Sequence, residues 1–248
     1  MEERSVQPAA TERPISSAEE PPRSPGPPHL ADPRALTILT TEHWSLLTSR
    51  SLVYNEAFAR AGMFLTFLTG TLVALGFVSQ GSGYTREFLL LATALLGFDL
   101  FIGLATLGRI SGASAEEIRA LQGMNRLRHA YLEMVPTLEP YFSTSLHDDL
   151  ASTVSIYGTT PAQASPLGNL AHGLTTTPGM VGTITAAVGG AFAAALTLLL
   201  GAIPIIAIIA GLATFAILTV VVWLAALRQF QAIERTMEIR FPPPRSEQ

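Results

Sequence analysis

The sequence predicts an all-α membrane protein: four transmembrane helices as two antiparallel hairpins, with cytoplasmic helical extensions. Three observations carry this. Charged residues make up 14% of the 248 residues, against about 25% in soluble domains. No Asp, Glu, Lys or Arg lies between Asp149 and Arg228. Four stretches are apolar over the roughly 20 residues that a helix needs to cross hydrocarbon.

Residues 1–34 hold eight prolines among Glu, Ser and Arg. They lack the apolar core of a signal peptide, and they predict a disordered tail because they cannot bury enough surface to offset ordering. A helix follows over 41–60, with Thr41 as N-cap and Glu56 and Arg60 as an i,i+4 pair. Trp44, Leu47, Ser51, Tyr54 and Phe58 fall at heptad spacing along it. It runs straight into a first span over 61–79. Gly81 and Gly83 mark a turn, and a second span covers 88–108, closed by Arg109. Ser114-Ala115-Glu116-Glu117 is a capping-box pattern that predicts a further helix over 114–135. Pro136 and Pro140 end it. The two cytoplasmic helices are expected to pack side by side as a stalk. Residues 151–179, rich in Ser, Thr, Gly and Pro, read as a flexible linker.

Residues 180–227 are 48 uncharged residues. One helix of that length would measure about 72 Å, more than twice the apolar thickness of a bilayer. Two spans are therefore predicted, 180–200 and 204–227, broken at Gly201-Ala202-Ile203-Pro204. Glycine ends helices and proline starts them. Residues 228–248 form a C-terminal tail in which Phe230, Ile233 and Met237 share a face.

Arginine placement sets the threading. Arg86 alone lies in the 79–87 connection, and the 201–204 turn has none. Arg50, Arg60, Arg109, Arg119, Arg126, Arg128, Arg228, Arg235, Arg240 and Arg245 lie at the other ends of the spans. The positive-inside rule puts both termini and the middle segment in the cytoplasm, with the protein multi-pass in the plasma membrane. The fifteen basic residues are all arginine, cysteine is absent and the net charge is −4. Thiolate chemistry and Cys-based metal sites are excluded, and nothing points to nucleic acid.

Four features are chemically distinctive. Asp99 falls near the middle of the second span, where a charged residue costs about 2.5 to 3.5 kcal/mol. Folding the hairpin places it level with residues near 69, so Thr66, Thr69 and Thr71 are its expected hydrogen-bond partners. It reads either as interhelical glue or as part of a proton or cation pathway. Gly182, Ala186, Gly190 and Ala194 recur every four residues in the third span. Such a small-residue stripe packs against the fourth span or forms a homo-oligomeric seam. Arg126, Arg128 and His129 form a basic cluster expected near the inner leaflet. They serve anionic lipid headgroups or a phosphorylated ligand, or set topology while pairing with Glu116, Glu117 or Glu133. His147-Asp148-Asp149 has metal-ligand residue types, but three consecutive residues rarely converge on one ion, and an N-cap for 150–156 is the simpler reading. No nucleophile motif, phosphate-binding Gly loop or HExxH appears. No cofactor, metal or catalytic site is assigned.

SLLTSRSLVYNEAFARAGMFLT, GLATLGRI and GMNRLRHAYLEMVPTLEPYFSTSLHDD resemble a family of uncharacterised bacterial, actinomycete-type integral membrane proteins over about residues 45–150. The resemblance implies a membrane hairpin with cytoplasmic helices and carries no activity or site. Residues and resemblance together predict a structural or signalling membrane scaffold, not an enzyme. It would act through oligomerisation or cytoplasmic partners, with the lipid bilayer itself as a partner. A small ion or proton channel or transporter component using Asp99 is the alternative.

Overall fold

The computed structural model describes residues 30–157 and 176–244. The tail predicted over 1–34 lies mostly outside them, as does most of the linker. Among the described residues every regular element is helical. They are α1 (Ala35–Ser82), α2 (Arg86–Met134), α3 (Leu150–Val154), α4 (Thr177–Leu199) and α5 (Pro204–Thr236), with short 3-10 turns at Pro136–Tyr141 and Ser155–Tyr157. Four of these helices are long and apolar enough to cross a bilayer. The architecture is that of a multi-pass membrane protein.

α1 and α2 are single uninterrupted helices of 48 and 49 residues, each about 72 Å long at 1.5 Å per residue. The break predicted before 114 does not occur. Ser114 does not cap a helix; its Oγ donates to the Ile110 carbonyl one turn back, at 3.1 Å. A hydroxyl satisfied this way leaves the helical ladder intact. The turn between α1 and α2 falls where the sequence places it. Gly83 takes φ +64°, a conformation that costs a side chain but not glycine, and Thr85 caps α2 through Phe88 N–H. The α4–α5 turn uses Gly201 at φ +89°, with Pro204 opening α5.

The helices pack in the order α1, α2, α4, α5. α4 sits innermost: 44% of its most apolar stretch is buried, against 11% for α1 and 6% for α5. That explains its composition, since glycine and alanine let helices approach closely on both sides. On one side Gly97 of α2 accommodates the Phe192 ring, and Gly103 lies against Thr185 and Phe64. On the other, Gly190 and Gly211 meet backbone to backbone. A Cβ on Gly190 would sit 2.8 Å from the Gly211 carbonyl oxygen, and one on Gly211 would sit 3.0 Å from that of Gly190. Ala186 is buried, and Gly182 lies under Val222 and Leu107. A Cβ on Gly211 would also meet Ala194. The stripe Gly182, Ala186, Gly190 and Ala194 is thus occupied within the chain by α2 and α5, so it is not open for a homo-oligomeric seam.

The stalk exists, but through a different face from the one the heptad pattern suggests. α1 turns His43, Leu46, Arg50, Val53 and Ala57 inward. His43 lies beside Tyr131, Leu46 beside Gly123 and Arg50 on Glu117. Ala57 joins a core with Ala61, Phe64, Ile110, Ala113 and Val181. Trp44, Leu47, Tyr54 and Phe58 remain exposed. Beyond the last span α5 continues to Thr236, burying Ile233 against Ala115 and Ile118. The non-helical segment 237–241 then meets α2, where Gln122 and Arg126 donate to the Glu238 carbonyl.

Candidate functional site

Polar chemistry concentrates at the end of the bundle where α1 begins and α5 ends. Its centre is Asp148, whose side chain is fully buried. The loop between α2 and α3 delivers it under the C-terminal segment. Its carboxylate accepts from Arg126 Nε at 2.8 Å, from Phe241 N–H at 2.8 Å and from Arg240 N–H at 3.0 Å. Burial, the largest single influence, pushes this carboxyl up. The hydrogen bonds from Arg240, Arg126 and Phe241, with the Arg126 charge, outweigh it and hold the group below its ordinary value.

Side chains of α2 complete the clasp. Gln122 Nε2 donates to the Asp148 and Glu238 carbonyls at 3.0 and 2.9 Å. Asn125 Nδ2 donates to the His147 carbonyl at 2.8 Å. Arg126 Nη2 also donates to the Glu238 carbonyl. His129 stacks on Phe241 with ring centres 4.1 Å apart. Asp149 caps α3 through Ser152 N–H at 3.1 Å, as its position suggests. The clasp therefore joins α2, the middle loop and the segment after α5.

Nearer the spans a second set of charges bridges α1 and α2. Arg109 binds Glu56 at 2.8 Å and Glu116 at 3.1 Å. Arg60 adds to Glu56 at 2.9 Å. Hydrogen bonds from Arg109 and then Arg60 hold the Glu56 carboxyl down at about 2. Arg50 binds Glu117 at 2.8 Å. Burial first, then the Glu117 charge, pushes the Tyr157 hydroxyl above its ordinary value. Leu47, Arg50, Ser51, Tyr54, Glu117 and Tyr157 line a cavity of about 300 Å3.

The basic cluster divides. Arg126 belongs to the clasp, and His129 stacks on Phe241 with Glu133 at 3.5 Å. Arg128 stands apart in a cavity of about 110 Å3 bordered by serine and threonine residues.

Asp99 is the outlier within the spans. It is 1% exposed, and among the described residues neither carboxylate oxygen has a hydrogen-bond partner. The hairpin register is close to the expected one, since Phe67 meets Phe98 edge-on at 6.4 Å. The expected threonine bond is not made. Thr66 and Thr69 lie on the exposed side of α1 and donate to their own helix, to Gly62 and Leu65 carbonyls at 2.9 and 2.8 Å. Thr71 is buried but is not a partner of Asp99. A threonine in a helix satisfies itself on the preceding turn, so matching level does not ensure matching face.

Sequence reasoning missed the clasp. Gln122 and Asn125 are ordinary polar residues in a helix, and their partners lie 22 to 116 residues away. The one local signal was two adjacent aspartates beside a short helix, of which only one can cap. No family model matches the chain, and neither curated proteins nor solved structures give a match.

Proposed function

We propose that the chain is a scaffold of the plasma membrane, with both termini and the clasped end in the cytoplasm, working by association through α1. One observation carries this reading. Trp44, Leu47, Tyr54 and Phe58 keep heptad spacing on a helix whose other face is already packed, and Trp44 is 64% exposed. Trp44 lies seventeen residues before 61, about 25 Å along the helix from the start of the span. Lipid tails do not reach it, and an apolar stripe in water calls for a partner. A helix of a second copy or of another cytoplasmic protein fits such a stripe. The internal use of the Gly182–Ala194 stripe supports placing association here instead of between spans.

The test is a photo-cross-linking residue at position 44 in cells, with light scattering of the purified chain. The expected result is a discrete cross-linked species that Leu47→Glu abolishes. A monomeric protein with no cross-link from position 44 ends the reading. The unpartnered Asp99 supports a second one, a proton or cation path, because functional carboxylates in spans are typically kept from lipid. Liposomes test it: flux above empty vesicles that Asp99→Asn removes would favour the path, and no flux would discard it.

A further inference from the structure

Arg128 differs from every other described arginine. Arg34, Arg50, Arg60, Arg109, Arg126 and Arg240 each hold a carboxylate. Arg86, Arg119, Arg228 and Arg235 hold none and are exposed. Arg128 is half-buried, and among the described residues no carboxylate lies within 4.0 Å of it. Its one hydrogen bond among the described residues runs from Nη1 to Asn125 Oδ1 at 2.7 Å, leaving most of its five donors without a partner there. A cation taken partly out of water without a counter-charge is costly. Burial, then the nearby charge of Arg50, lowers its pKa from the ordinary value.

The cavity around it supplies further donors. Ser143, Thr144 and Ser152 border it, and among the described residues none of their hydroxyls is engaged elsewhere. Ser145 Oγ accepts from His147 N–H at 3.2 Å, which leaves its own proton to donate. Neither Asp148 nor Asp149 borders the space. At about 110 Å3 it is smaller than the roughly 300 to 1,000 Å3 of organic-ligand pockets. It suits one tetrahedral oxyanion, for which a guanidinium fork and hydroxyl donors are the matching chemistry.

We propose that this cavity binds a phosphate group, free or as the terminal group of a soluble compound, with Arg128 as counter-charge and the hydroxyls of Ser143, Thr144, Ser145 and Ser152 as donors. Membrane phospholipid is the competing source of the same group. Arg128 lies nineteen residues beyond Arg109 on an unbroken helix, about 28 Å along the axis. The headgroup layer extends only about 6 Å past the hydrocarbon. The ligand therefore comes from the aqueous side. The inference goes beyond the scaffold reading and is measured without any partner.

The experiment is titration of the full chain in phosphatidylcholine nanodiscs with inorganic phosphate, followed by calorimetry. Saturable binding at one site per chain is expected. Arg128→Gln should weaken it at least tenfold, Ser152→Ala severalfold, and Arg119→Gln, an exposed arginine on the same helix, not at all. No saturable binding to the unaltered chain at millimolar phosphate overturns the proposal whether or not the variants fold. Equal affinity in Ser152→Ala and a folded Arg128→Gln overturns it too. Nanodiscs with phosphatidylglycerol should leave the phosphate affinity unchanged at constant ionic strength. Competition from that lipid would overturn the assignment to a soluble ligand.

Discussion

The apolar half of the bundle and its polar end are held together by opposite means. Between the spans, cohesion comes from shape: Gly190 against Gly211, Gly97 under Phe192, Gly103 under Phe64 and Thr185. At the other end it comes from a buried carboxylate and the donors that α2 and the C-terminal segment aim at it. The medium explains the difference. Lipid tails are as apolar as leucine, so spans gain nothing by hiding apolar surface and must gain by close contact. In water a desolvated carboxylate is stable only if donors replace its hydration. The glycine contacts between spans are thus expected to be insensitive to pH and salt where the clasp is not, and each half fails under a different substitution.

The largest effect is expected at Asp148. Removing one partner of a buried charged pair costs about 3 to 5 kcal/mol, and Asp148→Ala also strands the Arg240 and Phe241 N–H groups. Hydrogen exchange should rise over 237–241 and in the 143–149 loop, while α4 and α5 keep their protection. Acid should mimic the variant. The folded Asp148 carboxyl lies below its ordinary value of 3.8, so its contribution is complete above that pH and is lost as pH falls through the folded value. Protection factors in 237–241 that stay unchanged while acid protonates the Asp148 carboxyl, a point lying below 3.8, would contradict the clasp.

Gly190→Leu comes next and strikes the other half. Its side chain would enter the space held by the Gly211 backbone and the Phe215 Cβ. Overpacking costs about 1 to 3 kcal/mol where neighbours are mobile, and a facing backbone has little freedom to move. The thermal midpoint in detergent should fall, equally at pH 5 and pH 8 and at any salt concentration. Gly62→Leu, where nothing stands within 4 Å, is the control and should be tolerated. If Gly190→Leu instead altered only the mass of an assembly, the stripe would be an outer seam after all.

These two sites also differ in what the sequence discloses. The spans were legible because their causes are local. Runs of apolar residues, Gly83 and Gly201 at the turns, and Pro204 each act within a few positions of the chain. The continuity of α2 was not, because the capping signal at Ser114 is the same whether or not the hydroxyl turns back to Ile110. Nor was the inward face of α1. Trp44 and Leu47 look like core by type, yet His43, Leu46 and Arg50 face α2 because Glu117 and Gly123 stand opposite. The clasp was hidden for the same reason. Its donors and acceptors come from three segments far apart in the chain, and Asp148 reads as no different from Asp149 until the fold separates them.

The smallest effect should come from the ion pairs at the boundary between the halves, where Glu56, Arg60 and Arg109 meet. Their side chains are substantially exposed, and exposed pairs contribute little and are screened by salt. The Glu56 carboxyl is held at about 2 by its two arginines, below the ordinary 4.5. Its contribution is therefore complete above pH 4.5 and disappears as pH falls through about 2. Glu56→Gln should lower the midpoint at neutral pH by less than either variant above. The difference should close at about 1 M salt, where the screening length shrinks to about 3 Å. A loss that persists at high salt would mean that Arg109, once released, is stranded against the α1–α2 interface instead of turning to water. The boundary would then belong with the clasp, as a site where charge is structural, and not with the solvated surface.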